Sequence, residues 1–76
     1  MLKIKDNVDL KKLEKYEFIL QQVGLDNAYA KFILKGEYRE NLIIWRDDKS
    51  IQTEGIEILD TLYDLIKDGL VEKVEE

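Results

Sequence analysis

Carboxylates are the only abundant side chains in this sequence with chemistry to offer. Asp60, Asp64 and Asp68 recur four apart, and Asp47 stands beside Asp48. General acid–base work needs two carboxyls in differently shielded surroundings, so that one keeps its proton while the other has lost it. A four-residue spacing instead puts all three aspartates on one solvated helix face, where they are equivalent. The chain has no Cys and no His, which removes the usual ligands of zinc, iron–sulfur, haem and copper sites and the usual thiol and imidazole catalysts. Ser50, Thr53 and Thr61 therefore lack the base that activates a hydroxyl nucleophile.

Two further ligand-binding patterns fail on spacing. Read as a calcium loop from Asp47, the chain has Lys49 at the third position, Ile51 at the fifth and Gln52 at the sixth, where oxygen ligands and a glycine belong. Gly24, Gly36, Gly55 and Gly69 are too dispersed to cradle a phosphate and fall at element boundaries. The expectation is a protein that is not an enzyme and takes no cofactor and no metal.

Binding remains. Lys11, Lys12 and Lys15, with Lys3 and Lys5 before them, form a basic cluster, but lysines are point charges that offer no bidentate reading of bases. Residues 1–35 carry seven lysines against five acids, whereas residues 36–76 carry five bases against twelve acids. The overall charge of −5 disfavours nonspecific attraction to nucleic acid. Lys11, Lys12 and Lys15 are thus a weak alternative nucleic-acid patch.

These groups must be positioned by a small fold. A chain of 76 residues buries roughly 60% of its unfolded surface, so its core is thin. Leu2–Lys5 alternates as a short strand. Asp9 is a suitable N-cap for a two-turn helix over residues 10–16, with Leu10, Leu13 and Tyr16 docking it. The middle reads as a β-meander: Phe18–Val23, a turn over residues 24–27, Ala28–Lys35, a polar turn over Glu37–Asn41, Leu42–Trp45, a turn over Asp47–Ser50, and Ile51–Thr53. In the second of these strands Ala28, Ala30, Phe32 and Leu34 are all apolar, while Tyr29, Lys31, Ile33 and Lys35 are half lysine. The Phe32 face is predicted to point to the core.

From Ile56 to Asp68, 100° steps place Ile58, Leu59, Leu62, Leu65 and Ile66 on one face and Glu57, Asp60, Thr61, Asp64, Lys67 and Asp68 on the other. Gly69 follows where a left-handed cap belongs. Leu70–Val74 is a last short strand before Glu75 and Glu76. The charged opening and the four-residue apolar run Leu42–Trp45 resemble neither a secretory signal nor a membrane helix, giving a cytoplasmic expectation without membrane contact.

The segment Leu62–Lys73 resembles the exit of a winged-helix recognition helix into its first wing strand, which implies a small DNA-associated regulator as the alternative function. More broadly, Leu2–Phe18 and Leu62–Val74 resemble short uncharacterised proteins of Gram-positive bacteria and their prophages. Those relatives often carry glycine where Glu17 stands. The resemblance implies a bacterial or phage accessory protein and supplies no activity or site.

The predicted architecture is a single α+β domain over residues 1–76: an antiparallel meander, a C-terminal amphipathic helix packed across one sheet face, and a short N-terminal helix at the edge. Leu42 and Ile44 share one side of their strand, Ile43 and Trp45 the other, and one helix covers one side. The pair left open, Ile43 and Trp45, with Tyr29 beside them, is the candidate surface for a protein partner or a homodimer. The functional expectation is a small protein–protein interaction module.

Overall fold

A computed structural model describes residues 1–74; Glu75 and Glu76 lie outside the described residues. The order is β1 (Leu2–Ile4), a 3₁₀ helix (Leu10–Tyr16), β2 (Ile19–Val23), β3 (Asp26–Lys35), β4 (Tyr38–Trp45), β5 (Ile51–Glu54), α1 (Leu59–Lys67) and β6 (Val71–Lys73). The fold is α+β, as predicted. β2 to β5 form an antiparallel meander in sequence order, and β1 pairs antiparallel with β6 in a separate two-stranded sheet. β1 also touches the meander, because Ile4 N–H donates to the Lys49 carbonyl at 2.9 Å and Lys3 bridges to Ser50.

The first helix winds as a 3₁₀ helix for a reason visible in its spacing. Leu10, Leu13 and Tyr16 recur every three residues, and a helix of three residues per turn stacks them along one edge. That edge meets the core: Leu13 is fully buried, with Leu10 and Tyr16 packed beside it. Asp9 caps the start, its side chain accepting the Lys11 N–H at 2.9 Å. Glu17 ends it in the left-handed conformation, φ 70°. The helix therefore stops where glycine would stop it, at the steric cost a Cβ pays in that region.

The turns are tighter than the sequence suggests. Gly36 takes φ 58° at the first position of a two-residue hairpin loop, so Lys35 pairs with Tyr38 and strand structure begins three residues before Asn41. The stretch Tyr38–Asn41 is strand, and the polar residues there lie on a pleated surface rather than in a loop. Gly24 and Leu25 make the other tight hairpin, which starts β3 at Asp26 instead of Ala28.

The main core lies between the meander and the layer made by α1, the 3₁₀ helix, β1 and β6. Tyr29, Leu42 and Ile44 face it from the sheet, and Ile4, Leu13, Phe18, Ile58, Leu62 and Leu65 from the other layer. The predicted facing of β3 is thereby corrected. The Tyr29 and Ile33 side points to the main core, and Ala28, Ala30 and Phe32 point to the opposite side of the sheet. Lysines on the core side do not forbid this, because long stems reach the margin and find polar ends there. Lys31 Nζ donates to Thr61 Oγ1 of α1 at 3.1 Å, and Lys35 is ion-paired with Glu57.

The helix is also shorter and rolled relative to its prediction. Regular α-helix begins at Leu59, after a turn over residues 56–58. Thr61, expected on the polar face, is buried, while Leu59 and Ile66, expected in the core, are exposed.

Candidate protein interface

Antiparallel pairing puts partners on the same side of a sheet, which defines the second face of the meander residue by residue. Trp45 lies opposite Ala28, Ile43 opposite Ala30 and Gln52, and Asn41 opposite Phe32 and Glu54. Ala28, Ala30 and Ile43 are buried as a second apolar cluster with Val23, Phe32 and Trp45 packed against it. Every one of these residues belongs to β2, β3 or β4; among the described residues no helix crosses this face.

Ile43 and Trp45 therefore share the open face, as their alternation in β4 implies. Their exposure differs. Ile43 is 7% exposed, sealed by its sheet neighbours, and Trp45 is half-buried at the rim. Tyr29 does not join them. Its side chain is buried in the main core on the other side of β3, because neighbouring residues of a strand point to opposite faces. Tyr29 is thus part of the core and not of this surface.

Phe32, Arg39 and Asn41 belong to the open face and were missed as site residues. The alternation of β3 predicts Phe32 in the core, and the polar run over residues 37–41 reads as a turn, so neither pattern marks these residues as a surface. The Arg39 guanidinium lies over the Phe32 ring, 4.7 Å from its centre, in a cation–π arrangement. Beside it, Asn41 is 8% exposed; its Nδ2 donates to Glu54 Oε2 at 3.1 Å, while its Oδ1 is buried without a donor. A shallow hollow of about 280 Å³ opens there, lined by Gln21, Val23, Phe32, Arg39, Asn41 and Ile43. The apolar floor and the arginine beside it suit a protein surface that brings an apolar side chain.

The basic cluster is split. Lys11, Lys12 and Lys15 are exposed on the 3₁₀ helix. Lys11 borders a cleft with Arg46 and Lys49, whereas Lys15 borders a different one with Glu17 and Asp64. Lys49 is occupied structurally: its Nζ donates to the carbonyls of Asp6 and Val8 at 3.0 and 2.6 Å, pinning the chain between β1 and the 3₁₀ helix.

α1 does run through Gly69 into a strand, but that strand is β6, which pairs with β1. The exposed acids of α1 stand where a winged helix would present cations to phosphate. Among the described residues no three acidic side chains converge as a metal site, and no helix is long and apolar enough to cross a membrane. No protein-family model matches the chain, and neither a curated protein nor a solved structure matches it.

Proposed function

We propose that this chain is a small protein–protein interaction module that docks a protein partner on the open face of its meander. The observation that carries the reading is the second apolar cluster, built from Val23, Phe32, Ile43 and Trp45 over two alanines, on the side of the sheet away from every helix. Aromatic and arginine side chains over an apolar floor are the usual anchors of such contacts, and Trp45 and Arg39 flank this floor. The resemblance of both chain ends to short bacterial and prophage proteins supports a bacterial protein as the partner.

Trp45 is the single tryptophan, so its fluorescence reports the surface directly. The protein is used as bait in a bacterial extract, the retained protein is purified, and it is titrated back against the parent and against Trp45→Ala. Docking on this face shifts the Trp45 emission to shorter wavelength, and Trp45→Ala binds at least tenfold more weakly while melting as a folded protein. A partner that binds the folded variant as tightly as the parent, or leaves the emission unchanged, would refute the reading.

A further inference from the structure

α1 carries more apolar surface than its own core uses. Ile58, Leu62 and Leu65 are buried. Leu59, Tyr63 and Ile66 are 42%, 65% and 47% exposed. At 3.6 residues per turn the two sets together cover roughly 160° of the helix, against the roughly 100° stripe that one core contact needs. The exposed set follows a strict order. Within the helix Leu59, Tyr63 and Ile66 are spaced four and three apart, the d, a and d positions of a coiled-coil seam, and exposed Ile56 lies three residues before them in the preceding turn.

The seam has a flank with a pattern of its own. Asp60 and Lys67 both directly follow seam residues, Leu59 and Ile66, and so occupy the same flanking position, e, one heptad apart. The opposite flank, at Leu62, is core. The polar side of α1 beyond Asp60 is tied to the body of the fold, since Thr61 accepts from Lys31 and Asp68 accepts from Tyr16. The apolar seam and its charged flank are the surface that α1 leaves outward, with exposed Asp64 farther round the polar side.

We infer that this seam takes a second copy of the chain, the two α1 helices packing antiparallel about a two-fold axis at Tyr63. A two-fold contact is self-complementary, so residue i of one helix meets the level of residue 126 − i of the other. Leu59 then lies level with Lys67 of the partner copy, and Asp60 is one residue, about 1.5 Å of rise, from that level. In an antiparallel pair the same flank of each helix faces itself, so Asp60 meets the partner copy's Lys67 and Lys67 meets its Asp60. Two symmetric ion pairs flank a seam of Leu59, Tyr63 and Ile66. A parallel pair would set Lys67 against the uncharged Leu62 flank, leaving the charges unmatched; flank charges of this kind set helix orientation. Helices of nine residues bury less than the roughly 1,200 Å² of a standard interface, so the dimer is weak and assembles at high concentration.

The surface is separate from the open sheet face, and its test is independent of that reading. Sedimentation equilibrium at low salt, up to about 1 mM protein, is run on the parent, Tyr63→Lys, Asp60→Lys, Lys67→Asp and the double exchange Asp60→Lys with Lys67→Asp. Each variant's melting is recorded beside it. The parent is expected to move from one chain to two as concentration rises, and Tyr63→Lys to remain a folded monomer. Each single charge reversal turns two attractions into two repulsions and weakens the dimer about tenfold. The double exchange restores the pairs and returns the dissociation constant to within about threefold of the parent. A parent that stays monomeric, a dimer that survives Tyr63→Lys, or a double exchange as weak as the single reversals would overturn the proposal. A dimer dissolved by Trp45→Ala and not by Tyr63→Lys would move self-association to the open sheet face.

Discussion

Glu40 on β4 caps α1 from across the fold: its Oε1 accepts the Ile58 N–H at 2.8 Å. Ile58 begins the helix without a side-chain cap of its own, so an acceptor and a negative charge from the sheet serve the positive helix end. The same contact dictates Gly55. Its φ is +120°, and a Cβ built there would collide with the Glu40 side chain. Glu40→Ala is expected to cost about 1–2 kcal/mol, the range for loss of a helix cap. Gly55→Ala should cost more, because it adds a disfavoured backbone conformation to the collision. Urea denaturation of the two variants checks both magnitudes and their order.

Glu17 carries a steric penalty that a glycine in its place would avoid. It holds φ 70° at the end of the 3₁₀ helix, is exposed, and reaches Lys31 only at 4.0 Å. Glycine relieves the left-handed strain but adds unfolded-state entropy that opposes folding, leaving a net gain of about 0.5–1 kcal/mol. Glu17→Gly should therefore raise the melting temperature by roughly 2–8 °C in a domain of this size. An unchanged or lower melting point would mean that the carboxylate contributes more than its long contact suggests.

Tyr16 ties the 3₁₀ helix to the end of α1 by donating its hydroxyl to Asp68 Oδ2 at 2.5 Å. That hydrogen bond, then burial, then the negative charges of Asp68 and Asp64, push the phenol up to about 12. A folded-state value above the unfolded one stabilises the protein fully below about pH 10, and the contribution disappears as pH rises through 12. Parent and Tyr16→Phe should differ in melting temperature by a constant amount below about pH 10, and the difference should close toward about pH 12. Ultraviolet titration should show one late phenol in the parent that is missing in the variant.

The two apolar sides of α1 should respond oppositely to the same substitution. Leu62 is buried beside Leu65 and Ile58, and an unpaired carboxylate there costs several kcal/mol, comparable with the whole stability of a small domain. Leu62→Asp should abolish cooperative unfolding. Leu59→Asp, on the exposed side, should stay folded and lose about 1 kcal/mol. Circular dichroism melts of the pair separate the two faces.

The sequence by itself determined the elements and their class. Period-two runs, glycines at boundaries and the Asp9 cap mark the elements and their order, because these depend on neighbours only a few positions away, but the polar run Tyr38–Asn41 becomes strand only through its pairing with β3. The partition of β4 into Leu42 with Ile44 and Ile43 with Trp45 follows from alternation alone. Which side of β3 meets the helix was decided by tertiary structure. Both sides carry apolar residues, and lysine marks solvent unless packing supplies a polar partner, as Thr61 of α1 does for Lys31 and Glu57 in the turn before α1 does for Lys35. The same holds for the roll of α1. An apolar arc of roughly 160° allows several orientations, and the one adopted buries Thr61 and leaves Leu59, Tyr63 and Ile66 outward. The Glu40 cap and the Tyr16–Asp68 bond lie 18 and 52 positions apart in the chain, so no local pattern encodes them. They exist because packing brings those groups within hydrogen-bond reach.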